Sequence, residues 1–184
     1  MPLDEASKHR LREIAAASIR EGFSTRHPLV LDIRMEPDAL QMPGASFVTL
    51  KLNSALRGCI GSLEPTRPLA EDVSRNAYAA AFEDPRFRPL QPLEFDQIQL
   101  SISVLGAREP LACRTEPELL AALRPGRDGL ILERSGRRAT FLPSVWQDLP
   151  DPAEFVRHLK RKAGLPLDFW DSSLRFWRYE TESF

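Results

Sequence analysis

Apolar residues recur at helical spacing from Asp4 to Glu21. Leu11, Ile14, Ala15 and Ile19 make one stripe with Ser18 at its edge, and Lys8, Arg12, Glu13 and Arg20 lie outside it. Asp4 suits the N-cap and Gly22 the stop, so the pattern predicts a helix over 4–21. Residues 23–44 hold three prolines and little periodicity. They read as a connection, with a short edge strand at Leu29–Ile33. From Phe47 the period changes to two. Phe47–Leu52 alternates, Asn53-Ser54 supplies a turn, and Leu56–Ile60 returns as the second arm of a hairpin. Pro68 opens a helix running to about Glu83, with Leu69, Val73, Ala77, Tyr78, Ala80 and Ala81 inside. Ile98–Leu105 alternates over most of its length and reads as a strand.

The second half repeats these signals. Thr115 caps a short helix over 116–123, closed by Pro125-Gly126. Asp128–Glu133 and Arg138–Leu142 form a hairpin about Ser135-Gly136. Asp151-Pro152 opens a helix that buries Phe155, Val156 and Leu159, turns Arg157, Lys160, Arg161 and Lys162 outward, and ends at Gly164. Leu174–Tyr179 is a closing strand. This order of strands and mixed connections predicts an α+β fold: a mainly antiparallel sheet flanked by helices, in a single domain over 1–184.

Composition narrows the function classes. The formal charge is -1 from 25 basic and 26 acidic residues, which gives no electrostatic basis for nucleic-acid binding. No apolar run approaches the length of a membrane span, and no secretory signal is present, so a cytoplasmic protein is expected. The two cysteines, Cys59 and Cys113, do not make a disulfide framework. The three histidines lack metal-ligand spacing, so no metal site is expected. No residue pattern points to a cofactor.

The candidate chemistry lies in Leu56-Arg57-Gly58-Cys59-Ile60-Gly61. Glycine within a strand marks a bulge or a close approach of other backbone or ligand. Strand alternation places Arg57 and Cys59 on one face and Gly58 on the other. Arg57 offers a planar donor fork for a carboxylate or phosphate, and a cation beside a thiol favours the nucleophilic thiolate. Against this stands the ordinary behaviour of free cysteine as a small buried hydrophobe.

Ala81-Phe82-Glu83-Asp84-Pro85-Arg86-Phe87 sets two acids at a helix C-terminus, where the dipole disfavours them. Either Arg86 compensates them locally, or Glu83 or Asp84 faces the thiol and moves a proton. The candidates are therefore Cys59, Glu83 and Asp84 for chemistry, and Arg57, Gly58, Ile60, Gly61 and Arg86 for ligand binding.

These two segments, with Phe47-Val48-Thr49-Leu50, Ile102-Ser103-Val104-Leu105, Asp128-Gly129-Leu130, Phe141-Leu142-Pro143, and Lys162-Ala163-Gly164 with Trp170, resemble the AMMECR family in order, over about residues 45–180. Its prokaryotic members are called AmmeMemoRadiSam system protein A. The resemblance implies a sheet-and-helix part and a smaller lobe, with a cleft holding the cysteine motif. It also implies a working association with Memo-like and radical SAM proteins. The expected ligand is a small anion or a protein partner. Two functions follow: a binding module, or an enzyme using Cys59 as a reactive thiol.

Overall fold

The computed structural model describes residues 2–184, which fall into two compact units. The first takes residues up to Leu105 together with Glu182–Phe184, and the second takes Gly106–Thr181.

The first unit begins with α1 (Glu5–Thr25), capped by the Asp4 carboxylate on the Ser7 N–H. The helix does not stop at Gly22. It runs to Thr25 and ends where Arg26 turns left-handed at φ 59°. Gly22 is there for packing: a Cβ on it would lie 2.4 Å from the Phe82 ring. The expected strand at Leu29–Ile33 is absent. A 3-10 turn (Ile33–Met35) and α2 (Asp38–Gln41) occupy the connection. Hydroxyls replace the sheet ladder there: Ser18 accepts the Leu29 N–H at 3.1 Å and Ser74 donates to the Leu29 carbonyl at 2.8 Å.

Two-residue strands β1 (Pro43–Gly44) and β4 (Arg67–Pro68) pair with each other. Between them lies the hairpin of β2 (Ser46–Leu52) and β3 (Ala55–Gly61), turned by Asn53 and Ser54 at φ 50° and 66°. Both residues left-handed is the turn geometry that matches strand twist. After α3 (Leu69–Phe82) and α4 (Pro92–Phe95) comes β5 (Ile98–Leu105). The sheet is ordered β10-β5-β2-β3, where β10 is Thr181–Ser183. Its inner face, with Val48, Leu50 and Ile102, forms one core with Leu11, Ile14, Ile19, Val73 and Ala77 of the helices. Its outer face carries Phe47, Thr49, Ser101 and Ser103.

The second unit is a sheet ordered β6-β9-β7-β8. Its strands are β6 (Glu109–Leu111), β7 (Gly129–Arg134), β8 (Arg137–Phe141) and β9 (Arg175–Tyr179). Helices α5 (Glu116–Ala122) and α6 (Pro152–Lys162) complete its core with Leu130, Leu132, Trp146, Phe155, Leu159 and Phe176. Lys160 does not point outward as expected. It follows Val156 by four residues, so the helical period puts it on the apolar stripe. There it is fully buried, with Nζ 2.8 Å from Glu116. No helix among the described residues is long and apolar enough to cross a membrane.

Candidate functional site

The register of the hairpin determines what the thiol faces. A two-residue turn with unbroken pairing would put Thr49 opposite Gly58. A bulge between Leu50 and Lys51 shifts the partners by one, so that Leu50 pairs with Gly58 and Thr49 with Cys59. Arg57 is the extra residue, and a bulge re-aims the side chain it carries. Its guanidinium grips Glu94 at 2.8 and 2.9 Å and donates to the Arg88 carbonyl at 2.9 Å. With its side chain only 14% exposed, Arg57 is committed to residues 88–94. The Glu94 hydrogen bond pushes its pKa up, so it stays charged.

Gly58 faces α3. A Cβ on it would meet the Ala80 carbonyl oxygen at 2.0 Å, so glycine here admits helix backbone and not a ligand. Gly61 is covered by Phe47, whose ring would lie 2.2 Å from an added Cβ. Ile60 packs against the core of the first unit.

Cys59 is half-buried and its Sγ lies 3.3 Å from the Thr49 hydroxyl. Thr49 pairs on its other side with Ser101 of β5. The thiol therefore belongs to a row of small polar side chains across the outer face of the sheet.

β3 is an edge strand, and its backbone needs partners beyond the sheet. Asp84 and Arg86 supply them. Asp84 Oδ2 accepts the Cys59 N–H at 2.9 Å, and Arg86 Nη2 donates to the Cys59 carbonyl at 3.2 Å. The two side chains are forked together, with Arg86 Nε on Asp84 Oδ1 at 2.9 Å and Nη2 on Oδ2 at 2.7 Å. This pair does at the edge what a neighbouring strand would do. The Arg86 hydrogen bond, then the backbone N–H of Cys59, bring the Asp84 pKa down to about 2 although the group is buried. Arg86 keeps about half of its side chain in solvent. Glu83 is the C-cap of α3 and is exposed.

The structure thus brings Cys59, Asp84 and Arg86 together. It sends Arg57 to Glu94 and leaves Glu83 at the helix end. Thr49 and Glu94 escape a reading of the sequence. Thr49 could be found only through the bulge. Glu94 carries a signal in Gln91-Pro92-Leu93-Glu94, whose spacing forms a capping box on α4.

A second polar cluster also went unread. Asp72, fully buried in the first turn of α3, accepts from the Ser46 N–H at 2.9 Å, the Ser46 hydroxyl at 2.8 Å and the Ser62 hydroxyl at 2.7 Å. Asn76 donates to it at 2.9 Å. Burial pushes the Asp72 pKa up, and the Ser62 and Ser46 donors pull it only part of the way back. The cluster ties α3 to the start of β2 and the end of β3. No group of three or more His, Cys, Asp or Glu side chains among the described residues is set to hold a metal ion.

An α+β chain with a half-buried cysteine on a bulged edge strand, capped by an Asp-Pro-Arg turn, defines the class. The sequence matches the AMMECR1 family over residues 12–184, and the chain belongs to that family. It is 37% identical to a protein of Methanothermobacter thermautotrophicus over 185 residues, covering 100% of this chain and 96% of that one. It is 38% identical to a protein of Thermotoga maritima, covering 76% of each chain. The crystal structure of an uncharacterised protein from Pyrococcus horikoshii has the same fold. Its TM-score is 0.91 at 31% identity, covering 98% of this chain and 92% of that one.

Proposed function

We propose that the chain is a binding module whose recognition site is a shallow cleft around Leu56–Gly61. Its ligand is a small anion or an anionic segment of a protein partner, and the resemblance supplies Memo-like and radical SAM proteins as its working partners.

One observation carries this reading: the carboxylate nearest Cys59 is turned to its backbone. Asp84 grips the Cys59 N–H and the Arg86 fork. With a pKa of about 2, it is too weak a base to draw a proton from a thiol at neutral pH. The sulfur's hydrogen-bond partner is a neutral hydroxyl. The half-exposed Arg86 is the cation that meets an incoming anion, because Arg57 is closed off by Glu94. Permanently charged and planar, it suits a carboxylate or phosphate.

The test is binding to the Memo-like and radical SAM proteins by calorimetry, with iodoacetamide labelling of Cys59 in the free and the bound chain. Cys59→Ser should bind as the parent does, and Arg86→Gln should weaken binding about tenfold. Labelling of Cys59 should slow when a partner is bound. A Cys59→Ser variant that binds normally but abolishes a measured turnover would replace the module with an enzyme whose nucleophile is Cys59.

A further inference from the structure

The second unit contains a groove of roughly 640 Å³, within the range of small-molecule sites. Its origin is topological. Pairing between β6 and β9 ends at Leu111–Phe176. Beyond that pair the two chains part, Ala112–Arg114 leading toward α5 and residues 171–175 arriving from the segment before β9. Apolar side chains line part of the space between them, among them Leu111, Leu174 and the half-buried Trp177. The half-buried thiol of Cys113 opens onto the same space.

The charges on this groove do not cancel. Arg114 and Arg175 line it, both exposed, and neither guanidinium has a carboxylate partner among the described residues. Arg175 donates only to the carbonyls of Ser172 and Leu174. The one acid on the wall, Asp171, is already held by Arg134 at 2.9 Å and by the Ser173 N–H at 2.8 Å. The other acid nearby, Glu118, accepts the backbone N–H of Arg114 at 2.9 Å. The chain that carries Arg114 is fixed, since the Trp170 indole N–H holds its carbonyl at 3.0 Å.

An indole and two leucines favour a flat apolar body, and two uncompensated guanidinium groups favour a negative head. We propose that this groove binds a small amphipathic anion, a carboxylate or sulfonate carried on a flat apolar body, independently of the Cys59 site in the first unit.

The probe is naphthalenesulfonate, with neutral naphthalenemethanol as its counterpart. Calorimetry should find one site for the sulfonate and at least tenfold weaker binding of the alcohol. Arg114→Gln and Arg175→Gln should each weaken sulfonate binding about tenfold, together about a hundredfold, with circular dichroism and melting temperature unchanged. Bound sulfonate should slow N-ethylmaleimide labelling of Cys113, followed by mass spectrometry, and leave the Cys59 rate as it was. Because this reads the unaltered chain, it stands even if a variant misfolds. Equal affinity in the double variant, equal affinity for the alcohol, or protection of Cys59 in place of Cys113 would each overturn the proposal.

Discussion

The Asp84 carboxylate and the backbone N–H of Cys59 are 2.9 Å apart, and this bond joins the end of α3 to the edge of β3. Its acceptor is charged and buried, and its partner Arg86 reaches the Cys59 carbonyl as well. The loop therefore covers the strand edge with side chains.

Removing the charge should expose how much this clamp contributes. Asp84→Asn keeps an acceptor for the Cys59 N–H but breaks the forked pair with Arg86. It should cost about 1–2 kcal/mol in urea unfolding, whereas Asp84→Ala, which also orphans the N–H, should cost about 3 kcal/mol. A double-mutant cycle with Arg86→Ala should return a coupling of about 1 kcal/mol. Additive losses would show that the two side chains act separately.

The same pair sets an acid limit. The folded pKa of Asp84, about 2, lies below its ordinary 3.8. A depressed carboxyl stabilises the fold fully above its unfolded value, and that stabilisation fades as pH falls from about 4 to about 2. With screening around the half-exposed Arg86, the loss should be about 1–2 kcal/mol. Unfolding free energies of the parent from urea melts should drop through this window, and those of Asp84→Asn should drop less by that amount.

Gly58 and Gly126 make a matched comparison. Gly58→Ala would drive a methyl into the Ala80 carbonyl oxygen of a packed helix. It should cost about 3 kcal/mol and shift the β3 amide signals next to Cys59. Gly126 sits at φ 78° with open space around its Cβ position, so Gly126→Ala should cost only about 1 kcal/mol, from backbone strain alone. Comparable losses at the two sites would mean that α3 can slide away from the strand.

Elements built on local signals were legible in the sequence. The Asn53-Ser54 turn, the Ile98–Leu105 strand, the Asp4 and Thr115 caps and the helix starts at Pro68 and Asp151-Pro152 all follow from propensity and period. The errors at Gly22, Leu29–Ile33 and Lys160 share one cause. In each, a partner distant in sequence decides the outcome: Phe82 against Gly22, Ser18 and Ser74 around Leu29, Glu116 beneath Lys160. The site behaved likewise. The Cys59 motif and the Asp-Pro-Arg turn stand out as sequence. Their contact spans 25 residues, and the face shown by the thiol depends on a one-residue bulge that periodicity does not encode.

Lys160 offers a last test, of whether a buried charge stabilises this fold at all. Its side chain is 0% exposed and its ammonium meets Glu116 at 2.8 Å, the Leu167 carbonyl at 3.3 Å and the Trp170 ring at 5.6 Å. Desolvating an ammonium is costly, and the gain from a partly exposed Glu116 offsets it only in part. Lys160→Met keeps the volume of the stem and removes that cost. It should leave stability within about 1 kcal/mol of the parent. Glu116→Gln does the reverse, leaving the ammonium buried without its counter-charge, and should cost about 3 kcal/mol. The two variants should therefore differ by about 2 kcal/mol or more in urea unfolding. A Lys160→Met loss as large as that of Glu116→Gln would show that the intact pair, and not only its balance of charge, holds α6 to α5.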